Sequence, residues 1–162
     1  MKYNLNDLII IISGGTPKTT NSEYWNGEIP WLSIKDFSNC NRYVFSSEKH
    51  ISYIGLINSS SLLMKSNIII SARGTVGKIA QIGKDNMAFN QSCYGIKSKN
   101  ELILSNDYLF YWCKYNVKAF KQQSYGSVFD TITLDSFKNI KMNLPSLVVQ
   151  HHIVDNITKE QF

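Results

Sequence analysis

Apolar residues fall in short runs broken by Gly, Pro, Asn and Ser, and only two stretches carry a helical period. Short runs bounded by turn residues predict strands, whereas spacings of three and four predict amphipathic helices. Asn4-Leu5-Asn6-Asp7 offers caps for a short helix through Ile12, closed by Ser13-Gly14. Ile29 to Ile34 reads as a strand with Pro30 near its start. Residues 36–50 are polar and mixed, a loop with a short extended piece at Tyr43-Val44-Phe45. Asn58-Ser59-Ser60-Ser61 is placed to cap a helical turn over Leu62-Leu63-Met64. Asn67 to Ala72 and Gly77 to Ile82 read as strands joined by an Arg73-Gly74-Thr75-Val76 turn. After a Gly83–Asn86 turn, Met87-Ala88-Phe89 and Cys93 to Lys97 complete an expected antiparallel meander.

Ser105-Asn106-Asp107 caps the clearest helix, with an apolar face expected at Tyr108, Trp112, Tyr115 and Ala119 and an end at Tyr125-Gly126-Ser127. A short helix near Thr133–Phe137 and a strand at Ile140–Asn143 follow. Beyond Pro145, Leu147, Ile153, Val154 and Ile157 recur at four- and seven-residue steps, opening an amphipathic or coiled-coil helix too short by Phe162 to establish a coiled coil. The pattern predicts an α+β fold. Residues 1–144 form one compact domain with a twisted, mainly antiparallel sheet and flanking short helices, and 145–162 begin a C-terminal helix.

Composition narrows the class. A chain of 162 residues with 43% hydrophobic and 18% charged residues suits one soluble globular domain. Its 17 Lys+Arg against 12 Asp+Glu leave a net charge of +5, which favours an anionic partner, most commonly nucleic acid, over a merely basic surface only weakly. Cys40, Cys93 and Cys113 are widely spaced, form no metal motif and suit a reducing cytoplasm. The apolar run Leu8–Ile12 is too short to span a membrane, and no signal peptide is read.

Several catalytic chemistries lack their residues. Arg73-Gly74-Thr75-Val76-Gly77-Lys78 fails as a phosphate loop: Ala72 replaces the first Gly, and Ile79 follows Lys78 where Ser or Thr is needed. No acidic residue is followed two places later by Lys, so a nuclease built on that element has no candidate. The Pro-Pro-aromatic loop of adenine amino-methyltransferases, G-x-S-x-G and H-E-x-x-H are also absent. His50, His151 and His152 have no evident Cys or carboxylate partners, and the last two suit a solvated or interface helix face.

The stretch from Gly14 to Trp31 is the most informative. Gly14, Gly15 and Pro17 can shape a loop, while Trp25 and Trp31 anchor it, a means of presenting Thr16 and Lys18 to a ligand. Ser13-Gly14-Gly15-Thr16-Pro17, Tyr24 through Ser33, Ser71 through Lys78, Asn90-Gln91, and Leu144-Pro145 with Gln150 and Ile153-Val154 occur in an order that resembles a target recognition domain of the specificity subunit of type I restriction-modification systems. The resemblance covers nearly the whole chain. Ser66 stands where that family usually has a turn Gly, and Ser146 where it has a second Pro.

The resemblance implies sequence-specific recognition of duplex DNA without catalysis, with 145–162 beginning a spacer helix. Its implied partners are DNA, modification subunits that methylate adenine, and a restriction and translocation subunit. S-adenosylmethionine, ATP and Mg are expected only in those partners, with no cofactor in this chain. A family member has two such domains and two long helices. This chain is therefore expected to be a half-subunit, a silent-cassette fragment or a truncated piece, the alternative function being a scaffold that does not read DNA alone. A monomer or weak dimer is expected, with any self-association through the C-terminal helix.

The loops independently carry groups suited to DNA. Thr16, Lys18, Thr19, Thr20, Lys35, Arg73, Thr75, Lys78, Asn90, Gln91, Gln123, Ser124, Tyr125 and Ser127 are the candidate contacts. Arg pairs with guanine and Asn or Gln with adenine, whereas Lys, Ser and Thr more often hold phosphates. Asn90-Gln91 also suits a role in satisfying backbone groups beside the sheet, and the three Trp read as core anchors and not as base stackers.

Overall fold

The computed structural model describes residues 1–122 and 131–160. In chain order the elements are β1 (Lys2–Asn4), α1 (Leu5–Leu8), β2 (Ile9–Ser13), a 3₁₀ turn (Ser22–Tyr24), β3 (Trp25–Leu32), α2 (Ile34–Phe37), β4 (Tyr43–Val44), β5 (Lys49–Ile51) and α3 (Tyr53–Ser59). They continue with β6 (Leu62–Leu63), β7 (Ile68–Ser71), β8 (Ile79–Ile82), β9 (Met87–Phe89), β10 (Cys93–Ser98), α4 (Asn106–Tyr115), α5 (Val117–Gln122), a second 3₁₀ turn (Leu134–Phe137), β11 (Lys141–Asn143) and α6 (Leu147–Glu160). The chain divides into two compact units, Met1–Ile10 with Lys97–Phe162, and Ile11–Ile96. The class is the expected mixed α+β with mainly antiparallel pairing, but among the described residues three sheets replace the single one expected.

In the first unit, β1 pairs antiparallel with β11, placing Tyr3 opposite Met142. Leu5, Leu109, Phe110, Cys113, Phe120, Phe137 and Met142 are fully buried, and the Phe120 and Phe137 rings lie 4.9 Å apart. Ser105 caps α4 as expected, its hydroxyl accepting the Tyr108 N–H at 3.2 Å. The buried face of α4 differs from the expected one. Leu109, Phe110 and Cys113 are buried, Tyr108 and Trp112 half-buried, and Tyr115 exposed. Helical phase is lost at Asn116 (φ −114°, ψ 17°), whose side-chain amide donates to the Trp112 carbonyl at 2.8 Å, so Ala119 belongs to α5. The expected end of this helix at Tyr125–Ser127 lies outside the described residues.

Gln150 holds the start of α6. Its side chain is fully buried, accepts the Ser105 N–H at 2.9 Å, and donates to the carbonyls of Ile103 and Pro145 at 2.8 and 2.9 Å. Val154 is the other buried residue of α6, while His151 and His152 are exposed.

The second unit contains the β5-β3-β9-β6 sheet and most of the β2-β10-β7-β8-β4 sheet. β7 pairs antiparallel with both β8 and β10, and β4 runs parallel to β8. In the other sheet β3 pairs antiparallel with β5 and parallel with β9. Leu32, Phe37, Leu63, Ile69, Ala80 and Phe89 pack into the principal core, and Trp31, Ile51 and Ala88 into a smaller one.

Four expectations are corrected here. The first helix stops at Leu8, because Ile9 to Ile12 is a β-branched run better suited to the strand it forms. The strand expected over Ile29–Ile34 occupies Trp25–Leu32, and Ile34 starts α2 behind a Ser33 capping box with Asp36. Leu62-Leu63 is a strand paired with Ala88 and Met87, not a helical turn. The helix lies earlier, where the Ser52 hydroxyl caps α3 by accepting the Gly55 N–H at 3.1 Å. Finally, β9 does not join a meander between β8 and β10: Asn86, with φ 67°, marks the change of sheet, and Ala88 and Phe89 pair with Trp31 and Leu32. The β7–β8 hairpin and the short β4 form as expected.

Candidate nucleic-acid interface

The glycine loop is held by close backbone approach. A Cβ on Gly14 would lie 2.2 Å from the Asn90 carbonyl oxygen, and one on Gly15 would lie 1.6 Å from that of Ser59. Only glycine permits the chain to thread here. The Gly15 N–H donates to the Phe89 carbonyl at 3.0 Å, and its own carbonyl accepts the indole N–H of buried Trp31 at 2.9 Å. Trp31 is thus the anchor expected for this loop.

That threading delivers Thr16 to Gln91. The Thr16 hydroxyl donates to the Gln91 side-chain carbonyl. Gln91 is exposed, and this bond turns the donor end of its amide away from Thr16. Asn90 takes the backbone-satisfying role: its side-chain carbonyl accepts the Ser92 N–H at 3.1 Å. Its backbone N–H donates to the Leu32 carbonyl at 3.0 Å.

The Arg73 hairpin meets the same turn. The Ser92 carbonyl accepts the N–H groups of Ala72 and Arg73 at 2.8 and 3.2 Å. Across the hairpin, the Ser71 carbonyl accepts the Gly77 N–H and the Ser71 hydroxyl accepts the Lys78 N–H, both at 2.9 Å. Gly74 and Gly77 adopt positive φ (74° and 89°), the conformation their side-chain-free backbones favour. The resulting projection leaves Arg73, Thr75 and Lys78 exposed. Thr16, Asn90, Gln91 and Arg73 are therefore joined through two turns, with Thr75 and Lys78 on the attached hairpin.

Lys18, Thr19 and Thr20 are exposed on the continuation of the glycine loop. The Lys18 carbonyl accepts the Trp25 indole N–H and the Asn21 N–H, both at 3.1 Å. Lys35 is exposed on α2 and makes none of the contacts that join this set. Gln123, Ser124, Tyr125 and Ser127 lie outside the described residues.

A cleft beside this loop escaped the sequence reading. β3 carries a bulge: both Trp25 and Ile29 register with Ile51, and Asn26 sits at φ 60°. Thr19, Trp25, Asn26, Glu48, Lys49 and His50 line a cleft of about 270 Å³. Asn26-Gly27 is a turn signal that marks such an interruption of a strand. Trp25 is consequently half-buried: it packs against the smaller core as the expected anchor, and its remaining surface lines the cleft.

Among the described residues, no three His, Cys, Asp or Glu side chains group to hold a metal, and no helix is long and apolar enough to cross a membrane. Burial pushes the Cys93 thiol up to about 12 and also raises that of Cys113, so neither is poised as a thiolate nucleophile.

The chain is similar to known proteins in sequence and in fold. Over 153 residues the chain is 29% identical to the MjaIX type I restriction enzyme specificity subunit of Methanocaldococcus jannaschii, covering 92% of this chain and 35% of that protein. It is 28% identical over 156 residues to the EcoprrI specificity subunit of Escherichia coli, covering 91% and 39%, respectively. The chain thus spans little more than a third of these curated relatives. Its fold resembles that of the HsdS subunit from Thermoanaerobacter tengcongensis with a TM-score of 0.72 at 19% identity, over 99% of this chain and 37% of that one. A chain from a structure addressing assembly and conformational transition of the type I R-M system gives a TM-score of 0.77 at 18% identity, over 99% and 38%. The type I restriction modification DNA specificity domain model matches residues 1–159, and the chain belongs to that family.

Proposed function

We propose that this chain reads a short sequence in duplex DNA as part of a type I restriction-modification specificity subunit. The carrying observation is the tied set of Thr16, Gln91, Asn90 and Arg73, from which the Arg73–Lys78 hairpin projects. Arg73 and Gln91 have the donors and acceptors that distinguish bases in a groove, Thr16 orients Gln91, and Lys18, Thr19, Thr20, Thr75 and Lys78 supply phosphate contacts. Lys35 extends the basic surface from a separate element. Residues 1–144 carry recognition, and 145–162 begin the spacer helix.

In this reading the chain performs no chemistry and holds no cofactor. Modification subunits bind S-adenosylmethionine and methylate adenine, and a restriction subunit uses ATP and Mg, all in the cytoplasm. Selection from a random duplex pool across a salt series, with and without the modification subunit, tests the proposal. Enrichment of one short motif, with affinity falling as salt rises, is expected. Salt-sensitive binding without enrichment would reduce the chain to a basic surface. No binding even with the partner would favour a scaffold or silent-cassette role.

A further inference from the structure

We infer that the cleft at the β3 bulge is a nucleotide subsite that accepts one unstacked base and its phosphate. The inference rests on the nucleic-acid reading above and deepens it. Trp25 supplies the aromatic wall. Its orientation is fixed by the indole N–H bond to Lys18 and by an edge contact with Trp31, whose ring centroid lies 5.2 Å away at 82°. The exposed Lys49 ammonium lies over the Trp25 ring, 5.9 Å from its centroid. Its long stem lets the ammonium leave the ring for a phosphate, which frees the aromatic face for a base.

The remaining lining groups complete nucleotide recognition. Asn26 offers an amide donor and acceptor, Glu48 an acceptor, Thr19 a hydroxyl and His50 an imidazole. The Glu48 backbone is held by its N–H bond to Asp36 at 2.9 Å, and Asn26 is held at φ 60°, which fixes the positions of both around the opening. The cleft's roughly 270 Å³ lies just below the ~300–1,000 Å³ range of ordinary small-molecule pockets, a size for a single nucleotide. Aromatic stacking serves unstacked bases, because a base within a duplex presents only its edges to a protein. The site lies on the loop that carries Lys18 and Thr19, so a nucleotide leaving DNA held there would have a short path to it.

The test compares duplexes of one sequence, one fully paired and one with a single bulged 2-aminopurine, titrated with the 162-residue chain. We expect the bulged duplex to bind about tenfold more tightly, with quenching of the 2-aminopurine as it stacks on Trp25. Asn26→Gly retains the positive-φ backbone and Lys49→Ala lies on an exposed position, so both separate binding from folding. Each should remove most of the advantage of the bulge and leave paired-duplex affinity unchanged. Equal affinity for the two duplexes, or an advantage untouched by both variants, would overturn the subsite while leaving duplex reading intact. Binding of neither duplex, with the modification subunit also present, would overturn both readings.

Discussion

The indole N–H of Trp31 donates to the carbonyl of Gly15 at 2.9 Å, tying the buried end of β3 to the loop that presents Thr16. Gly15→Ala should be severe, because its new Cβ would lie 1.6 Å from the Ser59 carbonyl oxygen. The expected destabilisation is about 1–3 kcal/mol or more, measured by urea unfolding. Trp31→Phe removes the hydrogen bond and should cost at least about 1 kcal/mol. A neutral Gly15→Ala variant would show that the loop does not thread this gap.

Arg73→Ala and Lys18→Ala should weaken duplex binding without weakening the fold, because both side chains are exposed. Loss of a base contact by Arg73 should cost about tenfold or more and relax preference at one position. Loss of a phosphate contact by Lys18 should lower the salt slope by about one, uniformly across sequences. Affinity measured across a salt series, beside thermal melts of each variant, distinguishes the two. Unchanged affinity for both would remove them from the interface.

Ser66 occupies φ 78° at the turn that precedes β7. The left-handed conformation costs a non-glycine residue about 1–2 kcal/mol, partly offset by the greater unfolded-state entropy of Gly. Ser66→Gly should therefore stabilise by about 0.5–1 kcal/mol, raising Tm by about 1–4 °C. A lower Tm would show that the Ser66 side chain contributes more than its backbone conformation costs.

Gln150→Ala would deprive the Ser105 N–H and the Ile103 and Pro145 carbonyls of one buried partner. A loss of about 3 kcal/mol is expected in denaturant unfolding. Hydrogen exchange at Ser105 and in the first turn of α6 should rise more than exchange in β7 and β8. Uniform acceleration would indicate global destabilisation without local release of the helix.

Burial raises the Cys93 thiol from 9.0 to about 12 and also raises Cys113, whereas half-buried Cys40 is raised first by desolvation and then by Asp36. A raised thiol pKa means that the folded state holds its protons more tightly. The corresponding stabilisation is full below the unfolded thiol value near 9 and is lost as pH climbs from there toward 12. Unfolding free energy should fall over that interval, and Cys93→Ala should flatten part of the decline. In native protein, alkylation at Cys40 should precede alkylation at Cys93 and Cys113.

Local punctuation made part of this architecture legible. Gly74 and Gly77 sit between contiguous strands, so the Arg73 hairpin is written in one short stretch. Gly14, Gly15 and Trp31 likewise announce an anchored loop, although its seat against Ser59 depends on a distant helix end. The sheet containing β9 was less legible because Ala88 and Phe89 find their partners in Trp31 and Leu32, a pairing settled by tertiary burial. The face of α4 was obscured by its composition. Tyr108 and Trp112 are as apolar in pattern as Leu109 and Cys113, so spacing alone does not select which pair turns inward. The Trp25 cleft required a bulge and the approach of β5, neither visible in a single run of residues.

The pairing of β1 with β11 gives the chain an order of assembly during synthesis. Tyr3 is translated before Met142 and waits for it before its strand has a partner. Residues 11–96 form an uninterrupted unit and can close while later residues are still being translated. A nascent chain arrested before β11 would therefore carry a folded middle and an unpaired beginning. The loops that carry Thr16, Arg73 and Gln91 would acquire their shape before the segment that leads into α6 exists.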